Sequence, residues 1–178
     1  MEIPYKSLDK VMNLKLYTYT GERDAKIKYK ALQDRMASIL QTIKDVKDAM
    51  RKVNFFAESF RESLFTEFRH KLVIAKDDFK YVKKQLKFYK LAFAVHTNMV
   101  DACRMLREAD KLGIKQIDDT NFYTFNGDSY IWKTPYKDIY GHQIYMIIGK
   151  KTARKAREKY HVDYLAALKI LVGERFVW

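Results

Sequence analysis

The sequence predicts an α+β protein, mainly α, in which a long helical hairpin or coiled coil precedes a three-stranded antiparallel sheet and a C-terminal basic helix. Residues 22–112 contain neither glycine nor proline, the residues that most often interrupt helices. Their apolar residues recur at alternating steps of three and four, which keeps one helix face toward a partner helix. After Gly113, short aromatic and β-branched runs separated by turn residues predict strands.

The N-terminal segment, residues 1–21, precedes this helical framework. Its run from Leu14 to Thr20 is rich in Tyr and Thr and partly alternates in polarity, which predicts a short strand that ends at Gly21. The framework is predicted to begin at Glu22, because acidic side chains in a first turn favour the positive end of the helix dipole.

Two apolar seams follow one another within the framework, residues 22–113. The first seam consists of Ala25, Tyr29, Leu32, Met36, Ile39, Ile43, Val46, Met50 and Val53. The second seam consists of Phe65, Phe68, Leu72, Ala75, Phe79, Val82, Leu86, Tyr89, Phe93, His96, Val100 and Cys103. Between the two seams, steps of four residues shift the phase of the pattern.

The phase shift has two structural interpretations. A single unbroken helix would extend for about 135 Å at 1.5 Å per residue. A turn near Asn54, a residue type that tolerates left-handed geometry, would instead let the two seams pack antiparallel. We favour the turn, because an unbroken helix would leave a long apolar seam exposed. Asp77 and Asp78 mark a further candidate break, since Asp is a favourable N-cap, and Gly113 is predicted to cap the end of the framework.

Residues 114–178 are predicted to form a β-β-β-α basic module. The strands are predicted at residues 121–125, 128–133 and 143–148. A two-residue hairpin turn at Asn126-Gly127 would join the first two, and Thr134-Pro135 is predicted to end the second. A helix is predicted from about residue 151 to residue 172.

The charge balance favours a polyanionic partner. The chain has 35 Lys and Arg against 22 Asp and Glu, a net charge of +13, and the excess is spread over both sides of Gly113. Such a surplus favours nucleic acid or another anionic surface. Solubility alone is the alternative explanation.

Cysteine content and hydropathy indicate the cellular compartment in which the protein is expected. The single cysteine, Cys103, excludes an internal disulfide and a cysteine-cluster metal site, and it suits a reducing environment. The sequence shows neither a signal peptide nor an uncharged apolar stretch of about 18 residues. We therefore expect an intracellular protein, cytoplasmic or located in the nucleoid or nucleus, that is not secreted and has no membrane partner.

The first candidate contact surface is a stripe of lysines beside the second seam. The lysines recur at the same steps of three and four as the seam but are shifted by one residue, which places them about 100° around the helix. No acidic residue occurs between Asp78 and Asp101. Its members are Lys76, Lys80, Lys83, Lys87 and Lys90, with Lys84 beside them. Like charges at this spacing repel one another, which favours a phosphate ligand that relieves the repulsion. The alternative is a solvated flank that faces acids of a neighbouring helix, such as Glu58, Glu62 and Glu67.

The second candidate is the basic start of the predicted last helix. Its cations are Lys150, Lys151, Arg154, Lys155, Arg157 and Lys159. Cations at a helix N-terminus oppose the helix dipole, whereas the free backbone N–H groups there suit a phosphate. We therefore predict a phosphate contact at this end, with a merely solvated basic helix as the alternative.

The third candidate is a set of aromatic residues on the predicted sheet. The set consists of Phe122, Tyr123, Phe125, Tyr130, Trp132, Tyr136, Tyr140 and Tyr145. Exposed rings beside a basic surface would stack on unpaired bases. We favour a role in the core or in a subunit contact, because strands use aromatic residues for packing.

Catalytic motifs and cofactor motifs are not found. His96 and Cys103 lie on the same seam and are expected to be core residues rather than a dyad, which needs an exposed thiolate. No HExxH sequence or paired-cysteine spacing occurs, and Ile144 stands where a phosphate loop ending at Thr152 requires glycine. The sequence therefore predicts no enzyme, no cofactor and no metal.

These patterns together predict a non-enzymatic nucleic-acid-binding protein that contacts phosphates of DNA or RNA through basic helix faces. The main contacts are predicted to be Lys151, Arg154, Lys155 and Arg157, and the stripe from Lys80 to Lys90 is predicted to be the second contact. The seams predict assembly as a homo-oligomer or with a helical protein partner. The alternative function is a structural or adaptor subunit of a larger assembly, with its helical seam packed on another protein.

Overall fold

The computed structural model describes residues 8–116, 122–125 and 129–149 and confirms the predicted fold class, mainly helical with an antiparallel sheet. The helices are α1 (Leu8–Met12), α2 (Tyr19–Lys52), α3 (Glu58–Arg107) and α4 (Ala109–Leu112). The strands are β1 (Lys115–Gln116), β2 (Phe122–Phe125), β3 (Ser129–Lys137) and β4 (Gln143–Gly149). The predicted basic helix, residues 151–172, lies outside the described residues.

Two compact units divide the chain. The hairpin unit comprises residues 23–90, which contain most of α2 and the first part of α3. The sheet unit comprises the chain up to Glu22 and from Leu91 onward, including the last part of α3 and the strands. In the described part of the chain, no helix combines the length and the apolar character that crossing a bilayer requires.

The segment before α2 is a turn, so the strand predicted at residues 14–20 is wrong. The backbone N–H of Gly21 donates to Thr18 Oγ1 at 3.0 Å, and the same hydroxyl donates to the Lys15 carbonyl at 2.8 Å. Threonine is a favoured N-cap because its side chain satisfies a free N–H of the first turn. The helix therefore begins at Tyr19, earlier than predicted.

Gly21 lies where no larger residue fits. A Cβ there would lie 2.5 Å from the Leu14 carbonyl oxygen and closer still to that of Lys15. A glycine-to-alanine change inside a helix normally stabilises it by about 1 kcal/mol. Here we expect Gly21→Ala to lower the free energy of unfolding by about 1–3 kcal/mol through overpacking. Urea denaturation measures this against Gly149→Ala, whose added Cβ meets nothing within 4 Å, and equal midpoints would contradict the predicted clash.

The two long helices form the predicted antiparallel hairpin. α2 ends before a 3-10 turn at Val53–Phe55, and α3 begins after it. Arg35 of α2 lies against Asp78 of α3, with Nη2 3.3 Å from Oδ1. Thr42 of α2 shares a shallow groove with Lys71 of α3. Because residue numbers rise along one helix as they fall along the other, the helices run antiparallel.

The predicted turn near Asn54 is confirmed, since the 3-10 turn at Val53–Phe55 includes this residue. Asn54 does not adopt left-handed geometry, because Lys15 is the non-glycine residue with positive φ among the described residues. The turn is held instead by the guanidinium of Arg61, which donates to the Asn54 and Phe56 carbonyls at 3.2 and 2.9 Å. The candidate break at Asp77-Asp78 does not occur, because α3 continues through both residues and their carboxylates pair with basic side chains instead of capping a helix.

Both seams form the buried face of the hairpin unit. Every member of the first seam, from Ala25 to Val53, is buried or half-buried. The same holds for the members of the second seam from Phe65 to Tyr89. Fully burying a large apolar side chain contributes about 1.5–3 kcal/mol. The paired seams therefore supply the main stabilisation of the hairpin.

The buried face of α3 moves by one residue after Tyr89. The buried residues of the following turns are Ala92, Val95, Met99 and Ala102. The seam pattern instead predicts Phe93, His96, Val100 and Cys103. Val100 is 53% exposed, and the other three are half-buried. The shift coincides with the boundary between the units, because α3 packs in the sheet unit from Leu91 onward.

The strands form an antiparallel sheet in the order β1-β2-β3-β4. On β4, Ile144, Met146 and Ile148 are buried and alternate with half-buried residues, as the two-residue period of a strand requires. The register of β2 and β3 pairs Phe125 with Ser129. The predicted two-residue turn at Asn126-Gly127 lies outside the described residues.

β3 continues through Thr134-Pro135, where the sequence predicted its end. The register with β4 shifts between Lys133 and Lys137, and proline is tolerated at such a bulge because no ladder hydrogen bond is needed there. The buried Thr134 hydroxyl donates to the Ile144 carbonyl at 2.8 Å, and Gln143 Nε2 donates to the Tyr136 carbonyl at 3.1 Å. These side chains satisfy backbone groups that the bulge removes from the ladder.

Candidate nucleic-acid interface

The predicted lysine stripe lies on the exposed surface of α3. Its exposed members are Lys76, Lys80, Lys83, Lys84, Lys87 and Lys90. Lys80 Nζ lies 3.1 Å from Asp77 Oδ1, and Lys83 Nζ lies 5.5 Å from the ring centroid of Phe79. No carboxylate of the described residues forms an ion pair with the other five lysines. An exposed pair such as Lys80–Asp77 contributes about 0–1 kcal/mol, so most of the positive charge remains uncompensated.

On each helix the seam lies between two flanks. One flank consists of the residues that directly follow seam positions in the sequence, and the other consists of the residues that directly precede them. A right-handed helix turns by about 100° per residue. In an antiparallel pair the following positions of both helices therefore lie on one side, and the preceding positions lie together on the other. The structure agrees, because Arg35 and Asp78 each precede a seam position and are 3.3 Å apart. Ser38 and Ile74, also preceding positions, line the groove beside them.

We call these two sides the lysine flank and the mixed flank. The lysine flank consists of Lys26, Lys30, Gln33, Ala37, Leu40, Lys44, Lys47 and Arg51 on α2 and Thr66, Arg69, Val73, Lys76, Lys80, Lys83, Lys87 and Lys90 on α3. The mixed flank consists of Asp24, Lys28, Ala31, Arg35, Ser38, Thr42, Asp45, Ala49 and Lys52 on α2 and Glu67, Lys71, Ile74, Asp78, Tyr81, Gln85 and Phe88 on α3. The lysine flank has eleven basic and no acidic side chains, whereas the mixed flank has four of each.

Ion pairing follows the same division. On the mixed flank, Arg35 pairs with Asp78 across the two helices, and Lys71 pairs with Glu67 along α3. Glu67 therefore lies on the side opposite the lysine stripe and does not neutralise it. On the lysine flank, Lys80 pairs with Asp77 and Arg51 pairs with Asp48, so its ion pairs use acids that lie outside the flank.

The lysine flank is densest at the end of the hairpin away from the turn. Extending the register of Arg35 and Asp78 along the helices places Lys30 level with Lys83 and Lys26 level with Lys87. From Lys76 to Lys90 the flank extends for about 21 Å. The α2 members were not predicted from the sequence. Applying the one-residue offset to the first seam, together with antiparallel pairing, identifies them.

The other predicted sites are only partly described. The basic group Lys150, Lys151, Arg154, Lys155, Arg157 and Lys159 lies outside the described residues. Among the aromatic residues of the sheet, Tyr130 and Trp132 are buried in the core, as favoured from the sequence. Tyr140 is exposed, and Tyr123, Tyr136 and Tyr145 are half-buried. The buried rings of Tyr130 and Trp132 are thus unavailable for stacking on a base.

Comparisons with protein-family models, with curated proteins and with solved structures find no match to the chain.

Proposed function

We propose that the chain is a non-enzymatic nucleic-acid-binding protein that contacts phosphates through the lysine flank. Lys80, Lys83, Lys84, Lys87 and Lys90, which the sequence predicts as the second contact, are at the centre of the proposed contact. The observation that supports the proposal is the one-sided charge of the hairpin, eleven basic and no acidic side chains on one flank. The basic group that begins at Lys150, which the sequence predicts as the main contact, remains a prediction, and an intracellular location remains an expectation.

Spacing and chemistry favour phosphate over other anions. Lysines at steps of three and four are about 5 Å apart along a helix axis, and duplex DNA carries one charge per 3.4 Å of each strand. The flexible lysine stem lets each ammonium reach a phosphate. Phosphate contacts carry no direct sequence information, and an ammonium lacks the fork geometry that reads guanine edges. We therefore expect binding that tolerates changes of sequence.

Fluorescence anisotropy with labelled 30-nucleotide probes tests the proposal. Single-stranded DNA, duplex DNA and RNA are titrated with the protein at 50 and 200 mM salt, and light scattering gives the mass of the complex. For about six phosphate contacts, affinity should fall roughly 10³-fold over this range. Absence of binding at 50 mM salt, or a change smaller than tenfold, would contradict the proposal.

A second candidate is the structural or adaptor subunit. Three large apolar side chains are exposed at and just beyond the hairpin turn: Phe55 (89%), Phe56 (53%) and Phe60 (63%). Such a patch is typical of a surface that packs on another protein. Because the first seam, and the second seam as far as Tyr89, are already buried or half-buried within the hairpin unit, assembly would use this patch instead. The mass of the unmodified chain is compared with that of Phe55→Ser. If both are monomeric, and if nucleic-acid binding depends on salt, the first candidate is favoured.

A further inference from the structure

The sheet unit contains a cavity that the proposed phosphate contact does not use. Its volume is about 850 Å³, within the range of pockets that hold small molecules. Its apolar wall includes Met99, Val100, Leu106, Ile114 and Ile144. Val100 belongs to the second seam and is nevertheless 53% exposed. Apolar surface left open inside a concave site favours an apolar ligand.

Arg107 provides a positive charge at this cavity. Its Nε donates to the Cys103 carbonyl at 3.4 Å, and no carboxylate of the described residues forms an ion pair with it. Its remaining guanidinium N–H groups are thus available to a ligand. The planar fork of arginine matches the two oxygens of a carboxylate, and such charge-assisted pairs are stronger than neutral ones.

Asp138 also lines the cavity, but its oxygens are occupied. Oδ1 accepts the backbone N–H groups of Tyr140 and His142 at 2.8 Å each, and Oδ2 lies 3.1 Å from His142 Nδ1. Partial burial alone would raise the pKa of Asp138, but the hydrogen bonds from His142 and Tyr140 outweigh it and lower the pKa. The carboxylate is therefore ionised at neutral pH. A fixed negative charge disfavours a dianionic phosphate more than a singly charged carboxylate.

Tyr145 adds a neutral polar group. Burial raises the pKa of its hydroxyl, and the neighbouring Tyr123 and Cys103 raise it further. The rings of Tyr145 and Tyr123 meet edge to face, with centroids 6.1 Å apart. The Tyr145 hydroxyl consequently keeps its proton at neutral pH, and its hydrogen bond to the Tyr123 side chain is one of the causes.

We propose that this cavity binds one amphipathic carboxylate, a molecule with a single carboxylate on an apolar chain or ring system. The carboxylate pairs with the Arg107 guanidinium, and the apolar body lies against Met99, Val100 and Ile144. The positive charge of Arg107 and the apolar wall of the cavity, on which Val100 is exposed, together select this ligand class. The inference does not depend on nucleic-acid binding, because the lysine flank and the cavity share no residue.

Laurate below its micellar concentration is a suitable probe, with dodecan-1-ol as the uncharged analogue of equal chain length. Cys103 lines the cavity and is the chain's single cysteine, so its rate of reaction with a thiol reagent reports occupancy. We expect laurate to bind once per chain and to slow this reaction at least about tenfold at saturation. The alcohol should bind at least about tenfold more weakly, because it lacks the charge-assisted pair.

Arg107→Gln and Arg104→Gln form a matched pair for this test. Arg104 pairs with Asp101 at 3.1 Å and does not line the cavity. Arg107→Gln should reduce the affinity for laurate to that for the alcohol, whereas Arg104→Gln should leave both unchanged. Failure of laurate to protect Cys103, several laurate molecules per chain, or equal affinities in the two variants would overturn the proposal.

Discussion

Replacing Lys83, Lys87 and Lys90 together with glutamine is expected to weaken nucleic-acid binding by about 10²–10³-fold at 0.1 M salt. Each phosphate contact contributes about 0.9 logarithmic units of affinity at that concentration. Glutamine has nearly the helix propensity of lysine, and all three side chains are exposed. The hairpin should therefore remain folded. Anisotropy titration with the probe that binds the unmodified chain most tightly measures the loss.

The matched control removes the same charge from the mixed flank. Lys28, Lys52 and Lys71 lie on the same two helices, and their replacement with glutamine changes the net charge equally. Because fields at an exposed surface are screened beyond about 10 Å at this salt, we expect a loss of no more than a few-fold. Equal losses in the two triple variants would show that net charge alone, rather than the lysine flank, determines binding.

Asn98→Asp is expected to destabilise the sheet unit by about 2–4 kcal/mol. Asn98 Nδ2 donates to the Ile147 carbonyl at 2.8 Å, and the Ile147 N–H donates to Asn98 Oδ1 at 2.8 Å. The amide thus pairs with β4 as another strand would. A carboxylate removes the donor and places negative charge against the Ile147 carbonyl oxygen. Urea denaturation measures the global loss, and hydrogen exchange at the Ile147 amide measures the local one.

Thr97→Ala is the control for Asn98→Asp. Thr97 is the exposed neighbour on α3, and its hydroxyl donates to the Phe93 carbonyl of the same helix at 3.1 Å. Exposed substitutions of this kind usually change stability by about 0.5 kcal/mol or less. If the two variants unfolded at the same urea concentration, the paired amide of Asn98 would not stabilise the sheet unit.

The hairpin was predictable because its determinants are periodic and local. The alternating seam positions from Ala25 to Tyr89 have the burial that their spacing predicts, and the phase shift marks the turn. Gly113 ends the helical framework with φ of 66°, as predicted for a C-cap glycine. The lysine stripe was likewise predictable, since it keeps a constant offset from the seam.

The remaining differences between the predicted and the observed structure arise from specific contacts, which a local pattern of apolar and polar residues does not show. The buried face of α3 moves from Val100 to Met99 because the helix packs in a second unit there. The hydrogen bonds of Asn98 to β4 join residues that are far apart in sequence. At the N-terminus, the cap formed by Thr18 overrides strand propensity. The cavity beside Arg107 is likewise assembled from several separate segments.

Lysine footprinting by reductive methylation and mass spectrometry tests the central claim most directly. Each lysine of the full chain is compared with and without bound nucleic acid at low salt. We predict strong protection of Lys83, Lys87 and Lys90, with Lys28 and Lys71 on the mixed flank modified as fast as in the free protein. Equal protection of the two flanks, or unchanged modification of Lys83, Lys87 and Lys90 in a complex that forms, would contradict binding through the lysine flank.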